Sequence, residues 1–451
     1  MFDSHPARLA TAAVALLVAL GALTAGWAVA RGDGRLLREA GLDAAEITPN
    51  ADGETDATAI RYELERNATV SIYFEDDQGE RYYFRRQEPR GVGEYQVLFS
   101  GVVEGYRLPG ESFEGEIQAR LLRDGGYTWH IQAKDEVGVN ESASGSLTIS
   151  QAESLLPEIR NFSLDRRVFS PNQDGIDDRV LVQFFLPNEV ANTRVFVLTP
   201  EGRELPIAEL DRGVAENLPG RHYFDYEGGV DNQAAPPPDG AYPVIAIAED
   251  AEGQRIRVED ELTIRIGGVP RAEIISPPVG DTLRLSATAV ALCDTISFTL
   301  TLRNYGTAPL RTTGPEPGTT YDSDWNYNTL GWATESGAFR VAIGYENEIT
   351  NYPYRWAIAD REDLEQIGDH YYLMPGEQTE VTGSIRVTGP FGERNPQPMW
   401  AGLIHEDVAI SAVNNRVDPH QVLVDLAKPE NPATCPERAI PEAVGRPEPE
   451  G

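Results

Sequence analysis

The sequence predicts an all-β fold, tandem immunoglobulin-like β-sandwiches following an N-terminal transmembrane helix or signal peptide. Three observations carry that prediction. Ile47-Thr-Pro-Asn-Ala-Asp-Gly-Glu-Thr-Asp56 recurs as Phe169-Ser-Pro-Asn-Gln-Asp-Gly-Ile-Asp-Asp178, so the chain contains two related units. Each copy is followed by short runs in which apolar residues alternate with polar ones, the period of strands with one buried face. Leu9 to Ala30 carries no charge and is bracketed by Arg8 and Arg31.

At 451 residues the chain has room for about three domains of roughly 100 to 200 residues. A formal net charge of -34 excludes a phosphate backbone as partner, because nucleic-acid binding requires a basic surface that displaces counterions.

Residues 1–35 are the expected membrane anchor or signal peptide. About 22 uncharged residues span a hydrocarbon core at roughly 1.5 Å per residue, and Trp27 suits its interface. Ala28-Val29-Ala30 fits a small-x-small cleavage site, so the segment is an uncleaved anchor or a removed signal; its length favours the anchor. Both readings place the body outside the cytoplasm, membrane-anchored at the cell surface or secreted.

The first sandwich is expected over 36–150. Strands are read at Thr58 to Leu64, Ala68 to Phe74, Arg81 to Phe84, Val97 to Phe99, Gly115 to Leu121, Tyr127 to Ala133 and Ser146 to Ile149. About seven short strands in roughly 100 residues is the immunoglobulin-like count. The second sandwich is expected over 157–268, with Val180 to Leu186 and Thr193 to Leu198 as paired strands. Asp124-Gly-Gly-Tyr127 answers Asp239-Gly-Ala-Tyr242, and both units close on Leu-Thr-Ile at 147–149 and 262–264.

Phe169-Ser-Pro-Asn-Gln-Asp-Gly175, Phe224-Asp-Tyr-Glu-Gly228 and Asp239-Gly-Ala-Tyr242 resemble the FlgD-type immunoglobulin-like modules of flagellar hook caps and secreted or surface bacterial proteins. The second copy carries the likeness more clearly. The first departs from it at Gln96 to Gly101 and in an inserted loop from Glu104 to Phe113. The resemblance implies an extracytoplasmic structural or spacer module and leaves the activity open.

Within the repeated motif, Asn50, Asp52 and Asp56, and likewise Asn172, Asp174 and Asp178, place oxygens at the spacing that Ca²⁺ loops use. The same residues equally form an Asx-turn network, in which side chains bond nearby amides and glycine takes the left-handed conformation.

Gly267-Gly-Val-Pro270 reads as a hinge, and a larger third sandwich is expected over 269–427. Thr295 to Leu302, Ala338 to Ile343, Glu380 to Val387, Met399 to Ile404 and Gln421 to Leu426 are its strands. The Asn304-Tyr-Gly306 turn and Met374-Pro-Gly-Glu-Gln-Thr-Glu-Val381 resemble CARDB-like adhesion sandwiches. Trp325, Tyr327, Trp332 and Trp356 fall in what reads as long loops, where they either stack on a polysaccharide or form the loop's own small core. Cys293 and Cys435 are the only cysteines, either one disulfide or two buried thiols. Residues 428–451 are rich in Pro and Glu and are expected to be disordered.

No nucleophile elbow, zinc-protease pair, phosphate loop or dinucleotide fingerprint occurs in the sequence, so no enzyme activity is expected, and no cofactor unless calcium fills the repeated loops. His405-Glu406-Asp407 reads as a strand-end turn. The function expected is that of a non-catalytic, membrane-tethered structural or interaction protein partnered by other surface or envelope proteins. The alternatives are a surface carbohydrate-binding protein and an accessory subunit of a larger envelope complex.

Overall fold

The computed structural model describes residues 35–152, 155–427, 432 and 434–441. Leu9 to Ala30 lies outside them. Among the described residues no helix is long and apolar enough to cross a membrane. The described chain is all-β, its helical content three short 3₁₀ turns.

In the first sandwich, Leu37–Leu42, Thr58–Leu64 and Gly93–Phe99 form one sheet. Glu46–Ile47, Asn140–Ile149, Gly125–Asp135, Ala68–Glu75 and Arg81–Arg90 form the other, in that order. Alternation puts Val70, Ile72 and Phe74 inward from one sheet and Ile60, Tyr62 and Leu64 from the other. The layers meet where the Phe74 and Phe99 rings stack with centroids 4.2 Å apart. Trp129 lies across the strand pair from Gly145, and a Cβ there would fall 2.6 Å from the indole, so glycine makes room for the tryptophan.

The second sandwich repeats the plan. Arg160–Leu164, Val180–Leu186, Gly220–Tyr226 and Ala208–Glu209 make one sheet, and Glu204–Pro206, Asn192–Leu198, Gly240–Glu249 and Arg255–Ile264 lie in the other. The expected pairing of Val180–Leu186 with the strand at 192–198 is therefore corrected. The connector between them contains Pro187 and is too long for a tight hairpin, so the chain arches across the core and the two strands face each other from opposite sheets. The matched Asp-Gly-x-Tyr landmarks have a shared geometry. Asp124 accepts the amides of Gln151 and Ala152, Asp239 those of Ile266 and Gly267, and each tyrosine hydroxyl donates to a carbonyl four residues back.

In the third sandwich, Ala272–Ile275, Thr295–Asn304, Gln378–Arg386 and Thr320–Asp322 form one sheet. The other is built on Val417–Asp425, Gln397–His405, Phe339–Tyr345, Leu310–Thr312 and His370–Leu373, with Tyr354–Ala357 paired to Phe339–Tyr345. Trp356 and Tyr354 are fully buried, Trp332 and Tyr327 are 5% and 8% exposed, and all four belong to one core cluster. The assignment of Tyr327, Trp332 and Trp356 to a sugar platform is therefore corrected. Tyr354 and Trp356 lie on a strand and point into the core, whereas Tyr327 and Trp332 do lie in loop and fold back as part of that core. Trp325 is half-buried beneath the Arg438 guanidinium, 5.8 Å from its ring centroid.

The sulfurs of Cys293 and Cys435 are bonded, closing a separation of 142 residues. The described tail residues, 434–441, have no regular secondary structure, and Arg438 donates to Asp322 at 3.2 Å.

Both junctions between sandwiches are built rather than loose. Glu116–Leu121, in a stretch of the first unit's chain that belongs to neither of that unit's own sheets, pairs antiparallel with Arg255–Ile264 and extends the second sandwich's sheet, with Val102–Glu104 added beyond it. Gln254, wholly buried, accepts the Leu121 amide and donates to the Leu155 carbonyl and the Asp250 carboxylate, which ties the seam. The expected hinge at 267–270 is corrected as well. The Gly268 amide donates to the Pro171 carbonyl at 3.0 Å, and Val269 and Thr307 exchange two hydrogen bonds.

Candidate interaction site

The repeated loop folds the same way in both copies. Asp178 accepts the amides of Asn172 and Asp174 on one oxygen and that of Gly175, at 2.6 Å, on the other. Asp56 accepts those of Asn50 and Gly53. Asn172 and Asn50 each accept the amide two residues on, as do Asp174 and Asp52. Positive φ recurs in register, at Ala51, Gly53 and Thr55 and at Gln173, Gly175 and Asp177. All six residues singled out for calcium thus direct oxygens at their own loop's amides, the Asx-turn arrangement. Among the described residues no three His, Cys, Asp or Glu side chains converge as a metal ligand set.

The two copies differ in what surrounds them. Residues 51–55 of the first are exposed. In the second, Asn172 and Asp174 are 1% and 5% exposed because the loop is seated in the third sandwich. Arg311 Nε donates to the Asp174 carbonyl at 2.6 Å, the Tyr372 hydroxyl to the Asp174 carboxylate at 3.0 Å, and His405 Nε2–H to the Gln173 carbonyl at 2.7 Å. The backbones touch. A Cβ on Gly175 would sit 2.0 Å from the Ser336 carbonyl oxygen, and one on Gly337 would sit 2.0 Å from Asp174.

Burial sets the charges of this seat. His405, stacked on Phe339 with centroids 4.0 Å apart, has its pKa pushed down to about 4 by desolvation, so it sits neutral and serves as a donor. Asp178 is raised to about 6, first by burial and then by the neighbouring Asp174. Behind the seat, Glu406 is 3% exposed, accepts Arg355 on both oxygens at 2.8 Å, and accepts Arg340 at 3.2 Å. The strand-end turn read at 405–407 is present, but two of its side chains point inward, one to the loop and one to this ion cluster.

Sequence reading missed Arg311, Tyr372 and His405 as the socket. Arg311 and Tyr372 face each other on neighbouring strands that the sequence brings together from far apart. The legible hint was an arginine within an apolar stretch, at Leu310-Arg-Thr and again at Phe339-Arg-Val, since a charge there requires a buried partner.

No family model matches the chain, and no curated protein matches it either. Among solved structures, a Ca²⁺-stabilised ice-binding adhesin of an Antarctic bacterium is 12% identical, covering 77% of this chain and 74% of that one at a TM-score of 0.21. A tetra-tandem repeat from the extending region of a large adhesion protein is 11% identical over 86% and 90%, at 0.18. Extracellular cadherin domains 3–6 of protocadherin gamma B2 are 11% identical over 78% and 100%, at 0.17. At scores this low these likenesses carry no weight for what this chain does.

Proposed function

We propose that the protein is a non-catalytic, membrane-tethered structural and interaction component of a cell surface, with its three sandwiches outside the cytoplasm. The observation that carries this reading is the absence of slack at both junctions. Two strands of the first unit's chain, Val102–Glu104 and Glu116–Leu121, extend a sheet of the second, and the third grips the loop of the second through Arg311, Tyr372 and His405. Such a chain holds its ends at a fixed separation and passes load between them, as a spacer or assembly unit requires. The uncharged Leu9 to Ala30 segment supplies the tether, the acidic surface suits protein partners, and the repeated motif's likeness to surface modules agrees.

The test is extraction from native membranes in mild detergent, followed by sizing and identification of co-migrating proteins. Resistance to an alkaline wash together with co-migration in a large envelope assembly is expected. Recovery in the cytoplasmic fraction without partners would overturn the reading.

A further inference from the structure

The two copies of the repeat differ at one sheet edge. In the second, Gly220–Tyr226 pairs with Val180–Leu186, from Gly220 opposite Leu186 to Tyr226 opposite Val180. In the first, Gly93–Phe99 pairs with Thr58–Leu64 in the same register, from Gly93 opposite Leu64 to Phe99 opposite Thr58. Val97 is thus the counterpart of Phe224, and Leu98 that of Asp225.

The far side of Gly220–Tyr226 is covered by its own chain. Ala208–Glu209 pairs with Asp225 and Phe224, the Leu210 amide donates to the Tyr223 carbonyl at 2.8 Å, and Ile207 is buried beside them. That cover exists because the chain leaves Glu204–Pro206 in one sheet and crosses to the other. In the first sandwich Arg81–Arg90 stays on Ala68–Glu75 along its whole length and never crosses. Among the described residues no strand pairs with the far edge of Gly93–Phe99. Val97 is left half-buried where Phe224 is 4% exposed, and Leu98 is 70% exposed. An open edge of seven residues is a template for another strand unless proline, charged side chains or a bulge block it. Between Gly93 and Phe99 there is no proline, lysine or bulge, and Glu94 is the one charge.

We propose that this edge pairs antiparallel with the same edge of a second copy, joining two three-stranded sheets into one of six strands. The sequence of the edge is self-complementary about Gln96. With Gln96 opposite Gln96, each Tyr95 meets a Val97 and each Phe99 a Gly93 on the core-facing side. On the outer side each Glu94 meets a Leu98, and the two glutamine amides meet each other. Aromatic with β-branched residues is a favourable cross-strand pair, and no like charges lie directly opposite. The pairing is isologous, so it closes at two molecules. It goes beyond the assembly role proposed above by naming the partner at one surface, and it is measured on purified protein, apart from any envelope assembly.

The test is the mass of the purified full chain in mild detergent by sedimentation over a range of concentrations, for three forms. Wild type sediments as a dimer. Leu98→Glu sets a glutamate opposite Glu94 twice in the pair and weakens the dimer at least about tenfold, while the fold of each copy is kept because the side chain is exposed. Leu98→Glu combined with Glu94→Arg sets opposite charges in the same two places and restores the dimer. That restoration depends on this register alone and holds the test open if the single variant is also less stable. A monomeric wild type, which leaves the edge to a strand of another protein, overturns the proposal. So does a dimer whose mass is indifferent to Leu98→Glu, which joins elsewhere.

Discussion

Arg311 Nε lies 2.6 Å from the carbonyl oxygen of Asp174, across the boundary between two sandwiches and 137 residues along the chain. One copy of a repeated loop is thereby locked into a neighbour while its twin, folded by the same internal hydrogen bonds, stands in solvent. The pair of loops is a built-in control, because any cost of the loop itself is common to both and any cost of docking belongs to one.

Gly53→Ala and Gly175→Ala separate the two. The glycines have φ of 86° and 84°, so alanine incurs the same left-handed strain at each, about 1 kcal/mol. A Cβ on Gly53 meets nothing within 4 Å, whereas on Gly175 it would lie 2.0 Å from a backbone oxygen that has little freedom to move. Gly175→Ala is expected to destabilise by at least about 2 kcal/mol more than Gly53→Ala in denaturant melts. Equal losses would mean that the seated loop contributes nothing.

The seat also titrates, with two groups acting in opposite directions. His405 has a folded pKa of about 4 against an ordinary 6.5, so the unfolded chain binds the extra proton between those values, and its contribution to stability is lost as pH falls from 6.5 to 4. Asp178 has a folded pKa of about 6 against 3.8, so the folded chain binds the proton, and stability from this group rises as pH falls through the same range. The advantage of wild type over His405→Gln is expected to shrink on acidification from pH 6.5 to 4. Relative to Asp178→Asn, wild type gains. Urea melts at several pH values check both signs, and parallel curves for all three proteins would refute the assignment.

Calcium has little left to bind in either loop, because the oxygens of Asn50, Asp52 and Asp56 and of their counterparts accept backbone amides at 2.6–3.2 Å. Adding a chelator is therefore expected to leave the thermal midpoint of the purified chain where it was. A midpoint that drops and recovers with added Ca²⁺ would return the cation to the loops.

What the sequence made legible follows from the range of the physics involved. Alternation is local, so many of the longer strands were located, Thr58–Leu64 and Val180–Leu186 to the residue, while most of the two- to four-residue strands were not. The internal closure of the Asn-x-Asp-Gly loop is local too. Sheet partners are not, which is why Val180–Leu186 and its successor were read as paired strands. The docking of that loop draws on Tyr372, 198 residues from Asp174, and nothing nearby marks it. The aromatics between 325 and 356 were left open for a different reason. Tyr354–Ala357 is too short to show a period, so Trp356 read as a loop residue, whereas Tyr327 and Trp332 do lie in loop and form its own core, one of the two outcomes open to such a loop.

Glu406 carries the largest expected loss for a single change. Its carboxylate is 3% exposed and is shared by Arg355 and Arg340, themselves 7% and 0% exposed. Arg340 also donates to the Thr313 and Ala333 carbonyls at 2.8 Å, so its guanidinium is fixed whether or not the carboxylate is present. Burial already pulls the Arg340 pKa below its ordinary range, and Glu406 is the first charge opposing that pull. Glu406→Gln keeps the shape and one hydrogen-bond acceptor but leaves the buried Arg355 without its counter-charge and Arg340 with only Glu335, 4.0 Å away, at a cost of about 3 to 5 kcal/mol. The loss should fall on the third sandwich, and because His405 is the adjacent residue, the seat of Asp174 should loosen with it. Hydrogen exchange would then rise in Phe339–Tyr345 and Gln397–His405 and in the loop at 172–178, while the first sandwich keeps its protection. Protection lost evenly across the chain would mean that the three units unfold as one, and unchanged protection would mean that the two arginines find their counter-charge elsewhere.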